Sequence, residues 1–127
     1  MTVRRQAAAT AKDEQHSLAP RFKLWLEQDG VLVMSEYRAE LLRQVAATGS
    51  LAEAAQRMNL SYRRAWGKIR EIERNFGVVL VQSEAGGVGG GSSRLTPEGE
   101  RLLALYDRFC EVMSSNLGRE FRQVLKE

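Results

Sequence analysis

The sequence predicts a mainly α fold with a small β component: a β-hairpin, three short helices, a second hairpin and one long C-terminal helix. Three observations carry it. An alternating apolar run broken by Asp29-Gly30 reads as a hairpin. From Tyr37 to Phe76, apolar residues recur at three and four, with breaks at Gly49 and Asn59. Two short runs then flank a glycine cluster, and Thr96-Pro97 opens a helical seam that continues to Val124.

At 127 residues, 43% of them hydrophobic and 28% charged, the chain fits one globular domain, or one small domain with an extended dimerising element. A chain this short buries a modest core, which is compatible with sharing part of it with a second copy. The single Cys110 excludes an intramolecular disulfide framework and a cysteine cluster for zinc. No run approaches the ~18 apolar residues of a membrane span, and the N-terminus lacks the apolar core of a signal peptide. A reduced, cytoplasmic location is expected.

Residues 1–20 are small and polar and read as a flexible N-terminal tail. Phe22, Leu24 and Leu26 then alternate with Lys23, Trp25 and Glu27, and Val31, Leu32 and Val33 follow the turn. Gln28 either belongs to that turn or ends the first strand. The first helix starts near Glu36, carries Tyr37, Leu41, Leu42, Val45 and Ala46 on one face, and stops at Gly49. Ser50 and Glu53 form a capping box for the second, whose stripe is Leu51, Ala54, Ala55 and Met58. Its alanines allow another helix to approach closely.

Ser61 caps the third helix, where Ala65, Ile69, Ile72 and Phe76 face inward. Residues 61–76 hold five bases (Arg63, Arg64, Lys68, Arg70, Arg74) and two acids (Glu71, Glu73), a local charge of +3 equal to that of the whole chain. Such a basic helix in a balanced chain suits a polyanion, or is simply a solvated face. Val78 to Val81 and Ser93 to Leu95 read as strands. In the terminal helix Leu102, Tyr106, Phe109, Met113, Leu117, Phe121 and Val124 make a seam of about seven turns, weakened at Gly118. A helix of ~40 Å outruns the core of a small domain, so residues 97–127 are expected to dimerise.

The glycine cluster at residues 86–91 has three possible uses. A phosphate loop needs GxxxxGK[ST]; Gly86 to Gly91 supply the glycine spacing, but Ser92 stands where the lysine belongs. A dinucleotide fingerprint opens a helix, whereas this run leads to a strand. A linker would strand Arg94-Leu95 and the capped helix from a domain with only three short helices before it. The tip of a hairpin remains. Its amides, with Ser92, Ser93 and Arg94, are placed to contact a phosphate backbone. The order hairpin, helix, helix, turn, basic helix, strand, glycine tip, strand, long helix is that of a winged helix-turn-helix over residues 21–96. In this motif the recognition helix presents its first turn to the major groove, here Ser61, Tyr62, Arg63 and Arg64.

Three stretches, GSLAEAAQRMNLSYRRAWGKIREIE, the GGVGGG tip and RLTPEGERLLALYDRF, carry a family resemblance over residues 20–106. The chain resembles the N-terminal DNA-binding domain of ModE-type molybdate-responsive regulators; LysR-type domains share the helices but not usually such a glycine wing. The resemblance implies a bacterial, cytoplasmic homodimer that binds inverted-repeat operators near genes for molybdate uptake or use. Family members that sense molybdate carry appended β-barrel domains, and this sequence stops at Glu127, so direct molybdate binding is not expected of it.

By the same resemblance, Ser61, Tyr62, Arg63 and Arg64 begin the recognition helix, and residues 86–93, with Gly89 and Gly90, form the wing. Arg63 and Arg64 pair with guanine edges or with phosphates. Trp66 either packs at the helix and wing boundary or donates its indole N–H to a phosphate. Tyr62 donates to a phosphate or lies against the second helix. Lys68, Arg70 and Arg94 add affinity that falls steeply with salt. Dimer contacts are expected from Leu102, Tyr106, Phe109, Met113, Leu117 and Phe121.

The sequence supports no enzyme and no cofactor. Glu98 and Glu100 occupy the first turn of a helix, where they favour the macrodipole. The single His16 lies in the tail, so no nucleophile is set beside a base and no metal ligand has a partner. The competing reading is a protein-interaction module that keeps the fold and pairs with a separate sensor.

Overall fold

Asp29 and Gly30 stand at φ 53° and 79°, the left-handed pair that closes a two-residue hairpin turn. In this computed structural model, which describes residues 5–6, 18–84 and 91–127, the turn joins β3 (Trp25–Gln28) to β4 (Val31–Ser35). Gln28 pairs with Val31, so it belongs to the strand. The register shifts after Leu26, which pairs with Met34 while Glu27 pairs with Leu32; Val33 is the extra residue of a bulge. Both Val33 and Met34 are buried. Ahead of them, β1 (Arg5–Gln6) pairs with β2 (Arg21–Phe22), so residues 5–6, expected in a flexible tail, are a strand.

Helix α1 (Glu36–Thr48) starts on Ser35 and ends on Gly49 at φ 68°. Its buried face is Ala39, Leu41, Leu42 and Val45; Ala46, expected inside, is exposed because the face turns toward Ala39 instead. Helix α2 (Leu51–Arg57) buries Leu51, Ala54 and Ala55. Its capping box is half made. Ser50 Oγ accepts from Glu53 N–H at 3.1 Å, but Ser50 N–H donates to Thr48 Oγ1 and not to the Glu53 side chain. Asn59 takes φ 58° in the turn to α3 (Tyr62–Phe76), whose buried face is Ala65, Ile69 and Ile72.

The strand expected from Val78 begins later. β5 is Val81–Glu84 and pairs antiparallel with β6 (Ser92–Leu95). Val79 and Leu80 stay out of the ladder because their polar groups are engaged elsewhere. Leu80 N–H donates to Glu73, its carbonyl accepts from Thr96 N–H at 2.9 Å, and the Val79 carbonyl accepts from Thr96 Oγ1 at 2.7 Å. Thr96 Oγ1 also accepts from Gly99 N–H, capping the helix that follows. The tip of the glycine wing, including the expected contacts Gly89 and Gly90, lies outside the described residues.

Helix α4 (Pro97–Leu125) runs 29 residues without a break at Gly118. Leu102, Tyr106 and Cys110 face the domain, and Tyr106 Oη donates to the Leu24 carbonyl at 2.7 Å. This corrects the dimer seam: Leu102 and Tyr106 are core residues of their own domain. Phe109 is 42% exposed, and Met113, Leu117 and Phe121 are half-buried. Spacings of three and four fit Tyr106 followed by Phe109 as well as by Cys110, and the position of the domain selects Cys110. Among the described residues no helix is long and apolar enough to cross a membrane.

Arg43 joins α1 to α4. Its guanidinium meets Asp107 Oδ1 at 2.6 Å, Glu40 Oε2 at 3.0 Å and Glu36. Burial opposes its charge, but the hydrogen bonds of Glu40 and Asp107 outweigh this and hold its pKa above the usual value. Gln44, then Arg43, hold the Glu40 carboxyl below its ordinary value against the opposing effect of burial. A carboxyl lowered in the folded state stabilises the fold above its unfolded value and loses that contribution as the pH falls through the folded one. The contribution of Glu40 therefore disappears below the ordinary 4.5. Arg43→Ala should cost about 1–2 kcal/mol at neutral pH, between the worth of exposed and of buried pairs. Chemical denaturation at pH 7 and pH 3 checks both statements: the difference between native and variant should shrink in acid.

Candidate nucleic-acid interface

The first turn of α3 is held open to solvent by its cap. Ser61, extended at φ −69° and ψ 154°, accepts from Arg64 N–H at 3.1 Å, which directs Tyr62, Arg63 and Arg64 outward. Ser61, Tyr62, Arg63 and Arg64 are all exposed. Below that turn, Ala65, Ile69 and Ile72 are buried in the same core as Ala54 and Ala55 of α2, whose small side chains permit close approach of the two helices. The apolar spacing on one side of α3 therefore decides that the arginines point away from the core.

The rest of the helix is tied down. Lys68 Nζ sits 5.1 Å from the centroid of the Tyr37 ring. Arg38, from α1, donates to the Leu32 carbonyl at 3.0 Å and pairs with Glu71 at 3.3 Å. Asn75 Nδ2 donates to the same Leu32 carbonyl at 2.9 Å. The hairpin thus holds the C-terminal half of α3 in place.

Trp66 Nε1–H donates to Tyr62 Oη at 2.7 Å, with the two rings edge to face. In this geometry the indole donor is engaged inside the helix and not turned to an outside phosphate. Arg70 lies over the Trp66 ring, 4.5 Å from its centroid, and pairs with Glu73 at 2.9 Å. Between α3 and the wing lies a groove of about 430 Å³, lined by Trp66, Arg70, Gln82, Ser83, Glu84 and Arg94 among others.

In the wing, Ser92 and Arg94 are exposed, and Arg94 is 3.9 Å from Glu84. Ser93, expected to reach a phosphate, points inward. It is 7% exposed, its Oγ hydrogen-bonds Ser83 Oγ at 2.9 Å, and its N–H donates to the Gly49 carbonyl. Strand alternation places its neighbours on the opposite side. The structure therefore gathers Tyr62, Arg63 and Arg64 on one exposed turn and Ser92 and Arg94 on the wing beside it.

Residues 38–100 match the model of the family described as bacterial regulatory helix-turn-helix protein, lysR family. The chain carries a LysR-type helix-turn-helix domain. Its matched span runs from α1 through both wing strands into the first turn of α4, so the segment holding Glu73, Thr96 and Gly99 is part of the domain. Among solved structures, the LysR-type domain is similar to the chain in the crystal structure of the CbnR_DBD–DNA complex. That likeness has a TM-score of 0.52 and 25% identity, covering 72% of this chain and 99% of the other.

The LysR-type domain is also ModE-like in sequence. The chain is 41% identical over 75 residues to the transcriptional regulator ModE of Yersinia pestis, covering 59% of this chain and 28% of that one. It is 37% identical over 81 residues to the molybdenum-pterin-binding protein MopB of Rhodobacter capsulatus, covering 64% and 30%. The chain thus spans less than a third of the length of these relatives.

Sequence reasoning missed Glu73, Thr96 as a tie between wing and helix, and Gly99. Glu73 counted there only as one acid subtracting from a basic helix. Its one visible signal was its position, four residues beyond core Ile69 and next to Ile72, which places a carboxylate at the edge of the buried face.

Proposed function

We propose that the protein is a sequence-specific DNA-binding transcriptional regulator that acts as a homodimer on an inverted-repeat operator, with molybdenum-related genes as the regulated class. The observation that carries the reading is the exposed, capped turn Ser61, Tyr62, Arg63 and Arg64 on a helix with a local charge of +3, flanked by a wing bearing Arg94. An α-helix fits the major groove, and the wing reaches the adjacent backbone, where most hydrogen bonds of such interfaces are made. The similarity to a domain solved in complex with DNA supports this mode of use, and the regulator names of the relatives support transcription as its purpose.

The second copy is supported by α4. Beyond the core contacts of Leu102, Tyr106 and Cys110, this helix leaves Leu105, Phe109, Val124 and Leu125 exposed, an apolar surface on an element ~43 Å long. Phe109→Glu should turn the dimer into a monomer in analytical ultracentrifugation while leaving the circular dichroism unchanged. A native chain that sediments as a monomer at every concentration would remove the homodimer from the proposal.

The deciding test is selection from a randomised duplex library near physiological ionic strength, where screening extends over ~8 Å. Enrichment of an inverted repeat with half-sites one helical turn, about 34–36 Å, or a multiple apart is expected. No enrichment by a folded dimer would replace the operator reading with that of a protein-interaction module.

A further inference from the structure

Four side chains of α3, spaced by four, four and three residues, form a continuous ladder: Tyr62, Trp66, Arg70 and Glu73. Such spacing keeps them on one flank of the helix. The indole N–H of Trp66 donates to Tyr62 Oη, the Arg70 guanidinium stacks on the indole, and Arg70 Nη1 donates to Glu73 Oε1 at 2.9 Å. The other oxygen of Glu73 leaves the helix altogether. It accepts from Leu80 N–H at 2.8 Å and from Val81 N–H at 3.2 Å, where β5 begins. The top of the ladder is the reading turn, and its foot is the root of the wing.

Glu73 is 8% exposed. A carboxylate that deep is tolerated only when its oxygens are saturated, and here one guanidinium and two backbone amides do so. An apolar side chain in the same place would also bury surface between helix and strand, but apolar contact is non-directional. Two convergent N–H donors fix the first strand of the wing in register and in azimuth about α3. From the opposite side, Thr96 holds the carbonyls of Val79 and Leu80. The wing is thereby suspended between α3 and the start of α4.

We infer that Glu73 is a positioning residue for nucleic-acid binding, which sets the wing so that Arg94 meets the backbone when Arg63 and Arg64 occupy the groove. The inference rests on the DNA-binding reading above. It assigns Glu73 no contact with the nucleic acid.

A double-mutant cycle tests it, since residues that act through one another are non-additive and independent ones add. The intact chain and the duplex selected from the library are used, with affinities measured by fluorescence anisotropy. In the native background Arg94→Ala should weaken binding about fivefold, the scale of one charge-assisted contact. In the Glu73→Met background, where a side chain of similar length accepts from neither amide, Arg94→Ala should change it less than about twofold, because the wing no longer presents Arg94. Arg63→Ala should cost the same factor in both backgrounds. Hydroxyl-radical protection should fade at the backbone positions covered by the wing and persist where α3 lies.

Equal losses from Arg94→Ala in the two backgrounds would overturn the inference and leave Glu73 as a stabilising residue only. An Arg94→Ala variant that binds like the native chain would overturn it too, by removing the wing contact. Failure of the native chain to bind any duplex sinks the DNA reading itself, a result separable from either of these. Glu73→Asp provides a second background should the methionine variant melt below the assay temperature. It keeps the charge but is one methylene short of the two amides, and the same loss of coupling is expected.

Discussion

Replacing Arg63 and Arg64 together by alanine is expected to weaken binding of the selected duplex by about a hundredfold, taking each as worth roughly 1–2 kcal/mol. Both side chains are exposed on the first turn of α3, and among the described residues neither forms an ion pair that binding would have to break. Their loss therefore removes attraction without releasing a compensating acid. The variant should melt like the native chain, because surface substitutions away from packed features change stability by about 0.5 kcal/mol or less. Salt separates the two uses of the arginines. If they hold phosphates, the slope of log affinity against log salt falls by about one for each, and the loss is uniform across sequences; if they read guanines, the preference for the selected sequence collapses as well. A change of less than about twofold would mean that α3 is not the recognition helix.

The largest effect on stability is expected from Gly99→Ala. By helix propensity alone the change should stabilise α4, since alanine exceeds glycine by about 0.8–1.0 kcal/mol in a helix interior. The structure reverses the sign. A Cβ at Gly99 would stand 2.3 Å from the Leu80 carbonyl oxygen and 3.2 Å from its carbon. That oxygen is backbone, held in place by Thr96 N–H, so it has no flexible end to swing aside. Either the start of α4 or the root of the wing must shift, at a cost of about 1–3 kcal/mol. Thermal unfolding should fall by about 4 °C for each kcal/mol. An unchanged or higher midpoint would show that the Leu80 segment yields freely and that the wing root is not rigid.

Gly99 illustrates how far local reading reaches. Asp29-Gly30 announced its hairpin, and Ser50, Ser61 and Thr96 each cap a helix as read, because turns and caps are contacts between residues close in the chain. The inward face of α3 was equally legible. Ala65, Ile69 and Ile72 are buried as their spacing requires, and Arg63 and Arg64 consequently face out. The exposed basic turn could be found without a structure.

Errors arose where periodicity allowed two partners or where a side chain left its own element. Val78 to Val81 have the composition of a strand, yet Glu73 and Thr96 claim the polar groups of the first part and delay the ladder to Val81. Ser93 has the chemistry of a phosphate contact, but its strand position turns it inward. Tyr106 fits a dimer seam by spacing and a domain core by position, and the core has it.

The sequence by itself determined the order of elements from the Asp29-Gly30 hairpin onward, their caps and turns, and the charge of α3, all of which depend on neighbours within about one helical turn. Only the tertiary structure decided how the wing meets that helix. Glu73 and Leu80, or Gly99 and Leu80, come together through the packing of α3, the wing and α4 around one core, and a periodic pattern records which face is buried but not which distant backbone atom it meets.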